Sequence, residues 1–226
     1  MALAHSPKIV TDGLVLYLDA ANQKSYPGSG STWTDLTNNY QGTLINVPSF
    51  DNSNLGSIVF NGVDNYANLS GSAGNFATGS VECWLKYTAD PPSTVAQQII
   101  SRTNIATGTF NIRRRTNNAI DFLIRMSETN STSLVIGPVL TTNWTHVIGT
   151  YDGTTQNLYV NGIAQTPTLI SGTVETGGTY TQNIGRNTID TGYTPVQVSI
   201  VKLYNTVLTA SNVVQNFNAT RSRYGI

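Results

Sequence analysis

Residues 144–162, WTHVIGTYDGTTQNLYVNG, constrain this chain more than any other stretch. Val147, Gly149 and Tyr151 alternate with His146, Ile148 and Thr150, the period-two signature of a strand. Asp152-Gly153 then supplies a turn, because both residues tolerate positive φ. A second run, Asn157-Leu158-Tyr159-Val160, is rich in strand formers and closes on Asn161-Gly162, the strongest short hairpin signal. A chain of 226 residues organised around such a hairpin has the length of one large β-sandwich.

The same alternation recurs along the chain. Residues 13–18 read as a strand apolar on both faces, hence buried. The Gly/Ser-rich segment 25–31 is an irregular loop, after which Trp33, Asp35 and Leu36 return to the body. Residues 42–50 and 57–66 follow, with Gly62 placed for a turn or bulge. In SVECWLKY, residues 80–87, Val81, Cys83, Leu85 and Tyr87 share one face, and Glu82, Trp84 and Lys86 share the other. Residues 110–126 form a hairpin with Asn117-Asn118 at its tip. The expected register sets Ile112 opposite Ile124 and Arg115 opposite Asp121. Phe110, Ile112, Phe122, Ile124 and Met126 then make an apolar face, and Asn111, Arg113, Arg115, Asp121 and Arg125 a polar one. A one-residue slip would mix the two sets. Residues 196–204 are a central strand. The one helix follows, with Thr209 as N-cap and Val213, Val214 and Phe217 at helical spacing.

Charge is scarce: 11% of residues are charged, against about 25% in an average domain. Ser, Thr, Asn, Gln and Gly must therefore build the surface, which suits a particle component or a sugar binder. Twelve basic and twelve acidic residues cancel, so no net field draws nucleic acid or an anionic membrane. The single cysteine, Cys83, excludes an internal disulfide and reads as a small buried hydrophobe. No window approaches the ~18 apolar residues of a membrane span. MALAHSPKIV lacks the features of a signal peptide, and residues 1–9 are expected to be a loose arm on a single domain, 1–226.

Two polar sets are candidate ligand contacts. Trp84 between Glu82 and Lys86 reads either as a half-covered structural residue or as a platform for a sugar's C–H face, with the charges taking hydroxyls. Arg113, Arg115, Asp121 and Arg125 read either as cross-strand pairs or as a basic spot for acidic sugars or a partner's carboxylate. Catalytic constellations are lacking. Glu82, Glu128 and Glu175 stand apart from other acids, whereas glycoside hydrolysis needs paired carboxylates. His5 and His146 with one cysteine supply neither a nucleophilic triad nor a zinc site of the usual kind.

The strings GLVLYLDAANQKSYPGSGSTWTDL, GSIVFNGVDNYANL, the Asp-Gly hairpin with Tyr-x-Asn-Gly, and IGRN with VKLYNTVLTASNVVQNFNATRSRYGI together resemble laminin-G-like, concanavalin A-type jelly rolls of tailed-phage structural proteins. The resemblance covers residues 10–226. It implies an all-β, two-sheet antiparallel jelly-roll sandwich with one short C-terminal helix. It further implies a non-enzymatic virion protein, of tail, fibre or head decoration, made in the host cytoplasm. Its expected partners are other virion proteins or copies of itself, as a homo-oligomer and in this family often a trimer, with host-surface polysaccharide as a ligand. Neither nucleic acid nor membrane insertion is expected. A stand-alone lectin-like domain is the alternative reading, and a glycoside hydrolase the remote one. No cofactor is required. Calcium is the one ion the resemblance suggests, with Asp19, Asn22, Asp64, Asp152 and Asp190 as loop oxygen candidates. The chain departs from the family pattern at Gly192-Tyr193-Thr194-Pro195-Val196, where Phe-x-Gly is usual.

Overall fold

The computed structural model describes residues 7–71, 73, 76–88, 96–103, 110–125, 132–170, 174, 181–187 and 192–226, with Thr103, Arg125, Thr132 and Thr181 described in backbone only. Met126, Glu128, Glu175, Asp190 and His5 lie outside the described residues.

Two antiparallel sheets face each other. The strands are β1 (Leu14–Asp19), β2 (Thr32–Thr34), β3 (Gln41–Ile45), β4 (Ser49–Asp51), β5 (Ser57–Asn61), β6 (Tyr66–Leu69), β7 (Gly79–Tyr87), β8 (Gln97–Thr103), β9 (Asn111–Arg114), β10 (Ala119–Arg125), β11 (Thr132–Val139), β12 (Thr145–Tyr151), β13 (Thr155–Val160), β14 (Ile163–Ala164), β15 (Thr168–Leu169), β16 (Thr181–Ile184) and β17 (Pro195–Tyr204). The first sheet runs β14-β13-β12-β7-β17-β5-β4, with β1 beside β17 and β15 beside β13; the second runs β11-β10-β9-β8-β16-β6-β3-β2. The helix α1 (Ala210–Thr220) and a short 3₁₀ turn, Arg221–Tyr224, end the chain. Among the described residues no helix is long and apolar enough to cross a membrane.

Alternation decides which side chains enter the core. Val81, Cys83, Leu85 and Tyr87 from β7 and Val147 and Tyr151 from β12 meet Ile112, Phe122 and Ile124 of the second sheet between the layers. At the centre, Gly149 leaves room for the Phe122 ring, which a Cβ there would approach to 2.5 Å. The turn residues behave as their chemistry dictates. Asp152 accepts from the amides of Thr154 and Thr155. Asn161 and Gly162 take φ of 50° and 80° and fold β14 back onto β13. Gly62 takes φ of 73° against Pro195.

The 110–126 hairpin differs from expectation in register. Phe122, not Ile124, lies opposite Ile112, and Asp121 lies opposite Arg113. Asn118 adopts φ of 64° and closes a turn shorter than the expected loop. The shift is by two residues, so each side chain keeps its face, as the burial pattern demands.

Helix α1 starts at Thr209 as expected, with a capping box to Asn212. It lies on the outer face of the first sheet, where Val213 is buried and Phe217 half-buried. Val214 is 44% exposed and points away from the sheet, contrary to expectation. A helix turning 100° per residue cannot direct both neighbours inward here. Beneath α1 and the 3₁₀ turn lies Trp84, with no exposed surface. Trp84→Ala is expected to cost about 3–5 kcal/mol, which lowers Tm by roughly 6–20 °C in a domain of this size. Calorimetry measures it, and an unchanged Tm would show that the helix does not seal this face.

Candidate functional site

The outer face of the first sheet is built around a buried carboxylate. Glu82 on β7 has no exposed surface. Its Oε1 accepts from Lys202 Nζ at 2.7 Å and faces His146 Nε2 at 3.1 Å. Its Oε2 accepts from Asn216 Nδ2 at 2.7 Å and lies 3.3 Å from the Tyr204 hydroxyl. The partners come from β12, β17 and α1, because residues 146, 202 and 204 fall on the same outward register as 82. Burial alone would raise the Glu82 carboxyl, but the Lys202 ammonium and the His146 ring outweigh it and hold it at about 2. Burial holds the His146 ring below its ordinary value, against the pull of Glu82. Asn216 also accepts from the Val10 amide at 2.7 Å, which fixes the incoming chain.

Beside this network the rings stack in a row. Trp84 lies 3.9 Å from Tyr224, centroid to centroid, and Tyr224 lies 4.9 Å from Trp144. The indole Nε1 of Trp84 donates to the Thr220 hydroxyl, and that of Trp144 to Asn54 Oδ1. The row ends at an open cleft of about 900 Å³ between the C-terminal turn and the β11–β12 connection. Trp144, Tyr224 and Phe217 supply its aromatic surface, and Asn54, Asn143 and Asn161 its amides. Lys86 Nζ sits 5.8 Å from the Trp144 ring centre, and the Arg221 guanidinium 5.7 Å from that of Phe217. Among the described lining residues there is no Asp or Glu.

This geometry corrects the expected ligand face. Glu82, Trp84 and Lys86 do share a side, but helix α1 covers Glu82 and Trp84, and only Lys86 reaches the cleft. The arginine hairpin belongs to the second sheet and cannot join them on one surface. Asp121 is fully buried there. Arg113 grips it through Nε and Nη2, both at 2.8 Å, and Arg115 reaches it at 3.2 Å. Arg114 points the other way and lies over the Tyr87 ring at 4.0 Å. The Arg125 side chain is outside the described residues.

Comparison with known proteins settles the family. Residues 61–214 match the family model described as the concanavalin A-like lectin/glucanases superfamily. The chain belongs to that superfamily. No curated protein sequence matches it. Among solved structures, the receptor binding domain of botulinum neurotoxin D superposes with a TM-score of 0.70 at 16% identity, over 91% of this chain and 52% of that one. The binding domain of botulinum neurotoxin DC in complex with rat synaptotagmin II gives 0.70 at 12% identity, over 92% and 52%. Trypanosoma rangeli sialidase in complex with sialic acid gives 0.68 at 18% identity, over 97% and 36%. The chain thus spans about half the length of the toxin domains and about a third of the sialidase, and at these identities the likeness is one of fold.

In this concanavalin A-like domain the calcium candidates among the described residues, Asp19, Asn22, Asp64 and Asp152, do not converge. Asp19 is engaged by Arg223 in a two-pronged pair at 2.8 and 3.0 Å. Asn22 accepts from the Lys24 amide, Asp64 from the Asn61 amide group, and Asp152 caps its turn. Among the described residues no three His, Cys, Asp or Glu side chains stand together as a metal ligand set. Sequence reasoning missed Trp144, Asn54, Phe217, Arg221 and Tyr224 as cleft residues. Trp144 and Phe217 were legible as apolar, but only the fold brings five separate segments to one cleft.

The buried network makes a pH prediction. Glu82 and His146 both take up protons more readily in the unfolded chain. Their contribution is complete above the ordinary histidine value of about 6.5, and is lost as pH falls, first through His146 and then below about 4.3 through Glu82. Tm is expected to fall steadily on acidification. His146→Gln, whose amide still donates to Glu82, is expected to flatten the profile between about pH 6.5 and 5. Superimposable profiles in that window would remove His146 from the account. Glu82→Leu, which strands the Lys202 ammonium, is expected to cost about 3–5 kcal/mol.

Proposed function

We propose that this domain is a non-enzymatic recognition module that binds glycan in the aromatic cleft. The observation that carries the reading is the cleft's lining: Trp144, Tyr224 and Phe217 beside amides and two cations, with no Asp or Glu among the described lining residues. Pyranose rings present C–H faces that pack on aromatic rings, and hydroxyls that amides and cations bond. Membership of a superfamily whose description includes lectins supports the same reading. The non-enzymatic part is supported by the cleft's lack of paired carboxylates and by the engagement of Glu82 in its network. Recognition without a metal ion is supported by the dispersal of Asp19, Asn22, Asp64 and Asp152.

The finer setting is a structural component of a tailed-phage particle, recognising host-surface polysaccharide and assembled with other virion proteins or copies of itself. The two terminal signature strings support it. So does the exposed apolar surface of Ile136, Val139, Ile163 and Leu169, which gives partners something to cover. A free lectin-like domain is the competing reading, and copurification with particles separates the two.

A glycan array with the intact chain is expected to show binding without release of reducing sugar. The Lys86→Ala, Arg221→Ala double variant, whose substitutions lie on the cleft rim, is expected to lose about tenfold or more in affinity at unchanged Tm. Undiminished binding by that variant would move the site elsewhere, and release of reducing sugar would make the protein a hydrolase.

A further inference from the structure

Among the described residues, Arg186 has no carboxylate partner. Arg186 follows β16 and forms an antiparallel bridge with Tyr193. Its guanidinium carbon lies 4.7 Å from the Tyr66 ring centre and 5.4 Å from that of Tyr193. The two rings are 6.2 Å apart, tilted at 48°. All three residues are half-buried. The Arg186 Nε is sealed from solvent with no hydrogen-bond partner, and among the described residues no carboxylate pairs with this guanidinium. Asp64, two residues before Tyr66, is bonded to the Asn61 amide. The surrounding backbone is firmly placed. Ser101 donates to the Arg186 carbonyl, and Gln97 to that of Tyr193.

On the same strand Tyr66 and Asn68 point outward, since Ala67 and Leu69 enter the core. Asn68 donates to Asn183 at 3.0 Å and lies beside the exposed Thr43 on β3. A row of amide and hydroxyl groups therefore leads away from the guanidinium. Tyr193 belongs to Gly192-Tyr193-Thr194-Pro195-Val196, where this chain departs from the pattern of the proteins it resembles.

We infer that Arg186, Tyr66 and Tyr193 form a second binding site, distinct from the cleft, for a carboxylated sugar within an acidic oligosaccharide. The planar guanidinium matches a carboxylate, and no carboxylate among the described residues is paired with it. The tyrosine rings hold the guanidinium in place and offer faces to the sugar's C–H groups. The half-buried Asn68 and the exposed Thr43 suit hydroxyls of neighbouring residues in the saccharide. An acidic peptide would use the guanidinium but leave those groups idle. The inference is independent of the cleft, whose lining includes none of Arg186, Tyr66 and Tyr193.

The test uses the intact chain and isothermal titration with oligogalacturonate and with a sialylated trisaccharide, against a maltooligosaccharide as neutral control and an oligoglutamate peptide. At least one acidic saccharide is expected to bind, more weakly as salt rises. Arg186→Gln is expected to weaken it about tenfold or more. Arg186→Lys, which keeps a charge over the rings without the fork, is expected to fall between, and the Lys86→Ala, Arg221→Ala variant to bind as the parent does. If Arg186→Gln lowers Tm, Arg186→Lys decides. Four results would overturn the inference: neither acidic saccharide binds, the Arg186 variants bind undiminished, the cleft variant alone loses binding, or oligoglutamate binds as tightly as the saccharides.

Discussion

The Glu82 carboxylate is the constraint on which the rest of this structure depends. An ionised carboxylate sealed from water is tolerated only when charge and hydrogen bonds replace its hydration. Here the replacements come from four residues on three elements: Lys202 and Tyr204 on β17, His146 on β12 and Asn216 on α1. The carboxylate thereby ties β7 and its flanking strands β12 and β17 to the helix that covers them. Asn216 carries the tie further, to the Val10 amide. A second clasp, Asp19 with Arg223, joins β1 to the last turn. Val10 and the last turn are thus locked to the same sheet face.

That closure determines where a ligand can be met. A sheet face that alternates Glu, Trp and Lys invites a reading as a binding platform, but α1 and its 3₁₀ turn occupy it. What remains open is the edge of the cover, where the row of Trp84, Tyr224 and Trp144 borders the cleft. The same rings thus serve the core at one end of the row and the cleft at the other. On the other sheet Asp121 is saturated by Arg113 and Arg115, whereas Arg186 has tyrosine rings beside it and no carboxylate among the described residues.

Much of the fold was legible in the sequence because alternation and turn chemistry are local. The Asp152-Gly153 and Asn161-Gly162 turns, the core faces of β7 and the Thr209 cap follow from a few neighbouring residues each. Two errors share one cause. Alternation tells which residues lie together on a face, but not what covers that face. Trp84 was therefore legible as outward and illegible as buried. Likewise nothing local assigns β7 and the β9–β10 hairpin to different sheets. The hairpin register was misjudged by two residues because Asn118 enters the left-handed region and shortens the turn. The signature strings now have a physical account. Asp35 is buried and accepts from the amides of Tyr17, Thr37, Asn39 and Tyr40. Asp19 and Arg223 pair across the chain, and Asn216 and Tyr224 complete the cover over Glu82 and Trp84.

The central claim is that the sheet face is sealed and that recognition happens at the edge of its cover. The three tryptophan indole N–H groups report on this separately by nuclear magnetic resonance. On titration with an oligosaccharide selected from the array, the Trp144 signal should shift with saturation. The Trp84 signal, bonded to Thr220 under the helix, should stay in place and exchange slowly with deuterium. A Trp84 signal that exchanges rapidly and moves with ligand while Trp144 stays fixed would contradict the account, since the covered face would then be the binding surface.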